Sequence, residues 1–294
     1  MVRKVTKKIE SNECLTIKRG LLGLYDSLVL NKTRCVGCEI CVKVCYKEAL
    51  KLSNAIVHEG KLLEKGAITI DADKCTFCGM CVALCPLNAI KIFRNGKEVN
   101  PAVETELFPH ILKKVAVNVE KCDPTCKLVC KESCPTEAIS IKTERLDEKR
   151  ITKIIDVSIE LDKCIFCGKC QSSCPQEAIE ITKPFQGLIQ LTQTLCPENC
   201  SACVDICPSK ALALTEDGEI EVKEQFCIFC GACQEVCPEK AIEVKRTRVL
   251  HDYTASRAWI SALEKLTSPE CVDKELGAKS MKKLIEAVRK IDRF

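Results

Sequence analysis

Twenty-four of the 26 cysteines in this 294-residue chain stand in six groups of four, and no other feature restricts its fold as tightly. The groups are Cys35, Cys38, Cys41 and Cys45; Cys75, Cys78, Cys81 and Cys85; Cys122, Cys126, Cys130 and Cys134; Cys164, Cys167, Cys170 and Cys174; Cys196, Cys200, Cys203 and Cys207; and Cys227, Cys230, Cys233 and Cys237. Only Cys14 and Cys271 fall outside them. Motifs 2, 4 and 6 read C-x2-C-x2-C-x3-C-P and end at Pro86, Pro175 and Pro238. Motif 1 keeps the spacing with Tyr46 in place of the proline. Motif 3 widens to C-x3-C-x3-C-x3-C-P (Pro135) and motif 5 to C-x3-C-x2-C-x3-C-P (Pro208).

So many cysteines mean either disulfides or metal. Disulfide scaffolds are short and secreted. This chain is long, and its start, Met-Val-Arg-Lys-Val-Thr-Lys-Lys-Ile-Glu, has no apolar stretch of signal-peptide type. No run approaches the roughly 18 apolar residues of a membrane span; the stretch Leu21–Leu30 is broken by Asp26. A soluble, cytoplasmic, reduced protein is expected, with thiols that hold metal. Structural zinc joins two separated ligand pairs, unlike these compact groups. Their spacing is that of [4Fe–4S] ligation. Three closely spaced cysteines wrap three corners of a cube. The fourth, turned away at the proline, reaches the cluster of a partner motif. Gly79, Gly168 and Gly231 follow the second cysteine, where a residue without Cβ allows positive φ and close approach, with N–H groups aimed at sulfur. Motifs 3 and 5 lack this glycine and carry an extra residue that takes up the turn. Aromatic residues make up only 4% of the chain, so clusters rather than rings are expected to fill its interior.

The flanks repeat too. Alternating runs precede the cysteines: Ile68–Asp71, Val115–Asn118, Val157–Leu161, Leu188–Leu191 and Ile220–Val222. Their period of two predicts half-buried strands. After each fourth cysteine come Glu48-Ala-Leu-Lys-Leu, Asn88-Ala-Ile-Lys-Ile, Glu137-Ala-Ile-Ser-Ile, Glu177-Ala-Ile-Glu-Ile, Lys210-Ala-Leu-Ala-Leu and Lys240-Ala-Ile-Glu-Val, a short turn and another strand. Asn95-Gly96 predicts a hairpin turn, and Lys183–Leu188 reads as a linker between units.

From about Leu24 to Arg246 these residues resemble bacterial-type ferredoxins repeated in tandem, that is, polyferredoxins. The resemblance implies an α+β fold of three tandem bacterial-type ferredoxin (2[4Fe–4S]) domains with a short α-helical C-terminal tail. Residues 1–23 would be an N-terminal arm, 24–100, 101–184 and 185–247 the three domains, and 248–294 a helical extension. It further implies six [4Fe–4S] clusters held by the 24 grouped cysteines. Successive motifs lie 30, 37, 30, 22 and 20 positions apart, from fourth cysteine to next first cysteine. This favours pairing 1 with 2, 3 with 4 and 5 with 6; a nested arrangement stays open. With sequential pairing the resemblance implies that Cys35, Cys38 and Cys41 share a cluster with Cys85, and Cys75, Cys78 and Cys81 with Cys45. The other pairs follow the same exchange, the ligand order of motif 3 being the least determined. The run from Val244 through His251-Asp-Tyr to a Trp-bearing helix is similar to the polyferredoxin F subunits of formylmethanofuran dehydrogenases of methanogenic archaea, whose usual eight clusters this chain does not reach.

The implied function is an electron-transfer subunit, a wire of clusters in series within a redox complex. It would partner a catalytic oxidoreductase subunit, in the narrower resemblance a tungsten- or molybdenum-pterin subunit reducing CO2, and a small ferredoxin. A freestanding carrier, a polyferredoxin of hydrogenase or heterodisulfide reductase, and an open-cornered catalytic cluster at motif 3 are the alternatives. No P-loop, Rossmann fingerprint or nucleophile elbow is visible, so no catalytic site of its own is expected. The formal charge of +4 becomes about −8 once thiolates and oxidised cores are counted, which with the lack of a basic, aromatic-laced stripe argues against nucleic acid.

At the C-terminus, Ala255, Ala258, Trp259, Ala262, Leu263 and Leu266 share one helix face. Ser268-Pro269 starts a second helical stretch, and Met281, Leu284, Ile285, Val288 and Ile291 line another face. These helices either cover a cluster domain or dock on a partner through Trp259. The Lys-rich residues 1–18 are an arm on a neighbour or a solvated tail. Cys14 and Cys271 read as plain thiols, and His58, His110 and His251 as surface or packing residues.

Overall fold

The computed structural model describes residues 5–21, 23–145, 151–254 and 256–268. Strands β1 (Val5–Glu10) and β2 (Cys14–Leu21) form an antiparallel hairpin, and β2 runs alongside β3 (Leu24–Asn31). Leu15 faces Leu30 and Ile17 faces Leu28 across that pair, and all four are buried. The described residues before Leu24 are therefore a hairpin sewn onto the first unit, which corrects the expectation of an arm or a solvated tail. Lys7 and Lys8 belong to the edge strand β1, where they discourage further pairing.

Motif 1 leads through α1 (Ile40–Val44), β4 (Leu50–Leu52), β5 (Ile56–His58), β6 (Lys61–Glu64) and β7 (Ile68–Ile70) to motif 2, then α2 (Met80–Leu84), β8 (Ile90–Arg94) and β9 (Lys97–Val99). β3 pairs with β8 and β4 with β7, both antiparallel. The strand entering motif 1 thus lies beside the strand leaving motif 2, and the converse holds, so the two cysteine loops face each other. Asn95 and Gly96 make the expected hairpin turn, both at positive φ.

The second unit follows α3 (Pro101–Glu104) and comprises β10 (Lys114–Val117), motif 3 with α4 (Val129–Glu132), β11 (Ile139–Arg145), β12 (Ile151–Ile159), motif 4 with α5 (Lys169–Ser173), and β13 (Ile179–Thr182). The third comprises β14 (Phe185–Leu191), motif 5 with α6 (Ala202–Ile206), β15 (Leu212–Leu214), β16 (Ile220–Val222), motif 6 with α7 (Ala232–Val236), and β17 (Ile242–Val249). β10 pairs with β13, β11 with β12, β14 with β17 and β15 with β16. The strand pattern is sequential, not nested. The Lys183–Leu188 linker shrinks to two residues. Phe185 opens β14 and is buried, and Gly187 sits at a bulge where a Cβ would run into the Lys245 carbonyl oxygen.

Helix α8 (Arg257–Thr267) begins at Ser256, whose hydroxyl accepts from the Trp259 backbone N–H. Trp259, Ala262 and Leu266 are buried, and the helix packs on α1 and β17 of its own chain. The Trp259 ring meets Phe108 edge-on at 5.2 Å and His251 at 4.8 Å. This helix is a cover, and its tryptophan is spent internally rather than offered to a partner. The second expected helix and Cys271 lie outside the described residues. One apolar core runs through units 1 and 3 and α8 and takes in Ile165 and Cys167 of unit 2, whose remaining core is smaller, around Ile139, Ile154, Val157 and Ile179. The units are therefore not strung in chain order: the first lies against the third.

Candidate metal centres

The cysteine loops share a backbone pattern. In the C-x2-C segments that start motifs 1, 2, 4 and 6, the residue before the second cysteine is left-handed: Gly37, Phe77, Phe166 and Phe229 have φ of 66°, 58°, 56° and 50°. The next left-handed position follows the second cysteine, at Gly79, Gly168 and Gly231, as the sequence predicts. A Cβ on Gly79 would press within 2.8 Å of Asn100 Oδ1 and 2.9 Å of the Ala102 nitrogen. Glu39 makes the same turn in motif 1. Motif 3 spreads it over Lys127 and Leu128, both left-handed. Motif 5 departs further, with Asn199 left-handed and Ser201 at φ −117°. In motifs 1, 2, 4, 5 and 6 the motif helix then carries the third cysteine and stops at the fourth, whose backbone is extended; in motif 3 it is capped one residue earlier, at Ser133.

The flanking alanine has a role that its repetition alone hid. Four residues after the fourth cysteine, the backbone N–H of Ala49, Ala89, Ala138, Ala178, Ala211 and Ala241 donates to that cysteine's sulfur at 3.2–3.3 Å. The residue before each alanine is left-handed, which swings the N–H toward the sulfur. The alanines are buried, and a larger side chain would hold the strand off. Phe166 and Phe229 N–H groups donate likewise to Cys164 and Cys227. Such donors favour sulfur that carries negative charge.

In each strand-paired unit the fourth cysteine of one motif lies near thiols of the facing motif. Burial, with Cys85 among the repelling neighbours, raises the Cys35, Cys38 and Cys41 thiols. Burial with Cys78 and Cys45 raises Cys75 and Cys81. In unit 2, burial and the neighbouring Cys174 raise Cys122 and Cys130. Burial pushes Cys170 up to about 12, with Cys167, Cys164 and Cys134 adding to it. In unit 3, burial with Cys200 and Cys237 raises Cys203 to about 12, and burial with Cys207 nearby raises Cys230 to about 12 and Cys227 to about 11. Two of these sets border small cavities. One is lined by Cys45, Cys75, Cys78 and Cys81, the other by Cys134, Cys164, Cys167 and Cys170, each of about 20 Å³. Among the described residues no three Cys, His, Asp or Glu side chains are drawn together as a single metal ion requires; the thiols surround spaces instead. Thiols crowded around one enclosed space fit a polynuclear cationic core, since a bound metal inverts this logic and deprotonates its thiols outright.

Fixed cations stand near several sets. Arg19 of the N-terminal hairpin lies over the Phe77 ring at 4.4 Å, donates to the Thr76 carbonyl, and pairs with buried Asp26 at 2.5 Å. Arg94 holds the other Asp26 oxygen at 2.9 Å. Burial alone would raise the Asp26 carboxyl, but these guanidiniums outweigh it and hold it below the usual range. The Lys65 ammonium donates to the Lys32, Thr33 and Cys35 carbonyls, and Arg246 to that of Cys230. Sequence reasoning missed these pins because their acceptors are backbone atoms. Tyr46, in place of the proline, is exposed and bonds Thr76 at 3.2 Å. Cys14 stands half-buried at the start of β2, opposite Asn31. His58 and His110 are exposed, and His251 accepts from the Trp259 indole N–H at 3.3 Å, a packing role.

A family model described as a 4Fe-4S dicluster domain matches residues 34–89, 114–185 and 195–242, together more than half of the chain. A ferredoxin of Pyrobaculum islandicum is 34% identical over 73 residues, 25% of this chain and 65% of that protein. Polyferredoxin protein MvhB of Methanothermus fervidus is 32% identical over 126 residues, 39% of this chain and 26% of its own. The chain thus spans less than two thirds of either relative. A chain in the solved formate dehydrogenase–heterodisulfide reductase–formylmethanofuran dehydrogenase complex from Methanospirillum hungatei is similar over nearly its whole length. Its TM-score is 0.77 at 30% identity, covering 89% of this chain and 91% of that one.

Proposed function

The chain belongs to the 4Fe-4S dicluster domain family, and from that premise we propose that it is three tandem ferredoxin domains holding six [4Fe–4S] clusters within a multi-subunit redox complex. That it is a polyferredoxin-like electron-transfer protein follows from the family and its relatives. The observation that supports the finer reading is the placing of a fourth cysteine beside the thiols of the facing motif, with an alanine N–H trained on each fourth sulfur. Each cluster takes three cysteines from one motif and the last from its partner: Cys35, Cys38, Cys41 and Cys85; Cys75, Cys78, Cys81 and Cys45; Cys122, Cys126, Cys130 and Cys174; Cys164, Cys167, Cys170 and Cys134; Cys196, Cys200, Cys203 and Cys237; Cys227, Cys230, Cys233 and Cys207. A cluster bound in this way supplies one-electron transfer. Four cysteine ligands leave no open corner, so the protein's part is to bind, orient and bias.

The complex is of the formylmethanofuran dehydrogenase kind, a reading supported by the near-full-length likeness to a chain of that assembly. Its partners are a catalytic oxidoreductase subunit and a small ferredoxin, and its place is the cytoplasm. Among the described residues no helix is long and apolar enough to cross a membrane. The test is anaerobic purification from native cells. Co-elution with a catalytic oxidoreductase subunit, and uptake of about six electrons per chain on reductive titration, is expected. A monomer that exchanges electrons freely with several enzymes would make it a freestanding carrier instead.

A further inference from the structure

The three units close on one another around a cavity of about 710 Å³. Unit 1 meets unit 3 where Ser201 N–H donates to the Gly60 carbonyl at 2.7 Å and Leu62 N–H to the Asp205 carboxylate at 3.1 Å. Unit 1 meets unit 2 where Arg34 and Asn88 donate to the Asp162 carbonyl and Lys91 pairs with the Asp162 carboxylate at 2.8 Å. Unit 2 meets unit 3 where Lys183 donates to the Gln225 and Cys227 carbonyls and Lys169 to that of Lys210. Joints between each pair of units fix the cavity walls, so the recess is preformed.

The apolar walls come from all three units: Val36 and Leu87, Pro135 and Ile165, and Ile206 and Pro208. Each of these six stands within two positions of a grouped cysteine in the sequence. Only Cys207 among the cysteines lines the space, so it is not itself a cluster seat. Three cations reach it: Arg34, Lys65 and Lys163. Among the described residues Asp205 is the one carboxylate in its lining, and it already accepts from Leu62 N–H and from the Ser201 hydroxyl. The Lys65 ammonium donates to the Lys32, Thr33 and Cys35 carbonyls and the Arg34 guanidinium to that of Asp162, all neutral acceptors. These bonds hold both cations in place without cancelling their charge. Lys163 meets Glu160 at 3.0 Å in an exposed pair that solvent screens. Leu63, 68% exposed, adds an apolar group to the lining. The larger groove between units 2 and 3, about 1080 Å³, has the opposite character, with Glu177 and Glu180 in its wall against Lys183 alone.

We propose that this cavity is the docking site of an acidic iron–sulfur protein that passes single electrons to the chain. This rests on the six-cluster reading above. Loaded with six clusters the chain carries a charge of about −8, so most of its surface repels an acidic partner. Cations set around an apolar recess relieve that repulsion locally and steer the approach. An apolar side chain beside the partner's cluster enters between the walls and displaces water, as the buried anchor of an interface does. The carboxylates around it face Arg34, Lys65 and Lys163. The partner's cluster then lies against backbone that flanks grouped cysteines, and little protein separates donor from acceptor. Each transfer oxidises the partner's cluster by one electron and reduces one cluster of this chain by one, with no bond made and no proton moved.

The test uses the full holoprotein, with a reduced, acidic 2[4Fe–4S] ferredoxin as the probe. Zero-length carbodiimide coupling should join the carboxylates of the probe to Lys163, as read by mass spectrometry of the digested conjugate. In stopped-flow mixing at low salt, Lys163→Glu and Leu63→Glu should each slow reduction of the chain roughly tenfold, and the Lys163→Glu deficit should shrink as salt is raised. Lys97→Glu makes the same charge change on the Asn95-Gly96 hairpin, outside the cavity lining, and should slow it less than about twofold. All three variants should keep about 24 iron atoms per chain. Coupling confined to lysines away from the cavity, unchanged rates in Lys163→Glu and Leu63→Glu, an equal loss in Lys97→Glu, or preferential coupling of an acidic flavodoxin overturns the proposal. If a variant fails to load, the coupling map of the unaltered protein decides. Iron well below about 24 per chain in the unaltered protein would instead refute the six-cluster reading itself.

Discussion

Replacing Trp259 by alanine separates a covering helix from a docking one. The Trp259 side chain is 2% exposed and wedged between Phe108 and His251. Truncating a buried ring of this size costs about 3–5 kcal/mol in lost transfer and cavity terms, the edge-on contacts included. Total stabilities run at about 5–15 kcal/mol, so the loss is large but need not unfold the chain. It should appear where α8 rests on α1 and β17, as faster opening of that helix. At about 1.4 kcal/mol per decade, amide exchange at Ala262, Leu263 and Leu266 should accelerate roughly 10²- to 10³-fold or more in the holoprotein. Trp259→Phe keeps most of the packing and loses the N–H donated to His251, about 1 kcal/mol, so it should fall well short of that. Unchanged exchange in Trp259→Ala, together with loss of a co-purifying partner, would show the ring to be an interface anchor and refute the argument.

Three other outcomes are expected. Cys85→Ala should remove the cluster seated on motif 1 and lower iron from about 24 to about 20 per chain; an EPR loss confined to the motif 2 cluster would contradict the exchange of fourth ligands. Asp26→Asn should cost about 3 kcal/mol at neutral pH, because two guanidiniums lose their buried partner. The Asp26 carboxyl is held low in the folded protein, so its contribution is full above the ordinary carboxylate value of about 4 and fades as pH falls through the depressed one. Denaturant unfolding of both proteins should show a gap that is constant from pH 7 to 5 and narrows in more acid solution; a gap that widens there contradicts the assignment. Gly187→Ala puts a Cβ against the Lys245 carbonyl and should cost about 1–3 kcal/mol or more, read as lost amide protection along β14 and β17.

What the sequence made legible is what repeats. Six cysteine groups, the alternation at Ile68–Ile70 and Ile220–Val222, and the left-handed glycines at 79, 168 and 231 all reappear in the structure. Each is a local consequence of wrapping a loop around a fixed set of sulfurs. The N-terminal hairpin was hidden by its lysines, although Leu15 and Ile17 already alternate, because edge-strand charge and tail charge look alike in composition. Trp259 was ambiguous because burial against α1 joins residues more than 200 positions apart. The joints between units were invisible for another reason. Lys183 and Arg34 donate to carbonyl oxygens that every residue carries, so no side-chain pattern marks their acceptors. The alanine after each fourth cysteine was visible as a repeat, but its use, an N–H turned onto sulfur, needed the backbone angle of the residue before it.

Iron and acid-labile sulfide, counted per chain in protein isolated without oxygen, test the account at its root. About 24 of each, in brown protein whose colour bleaches on reduction, is the expected result. Colourless protein, or zinc in place of iron, would contradict it.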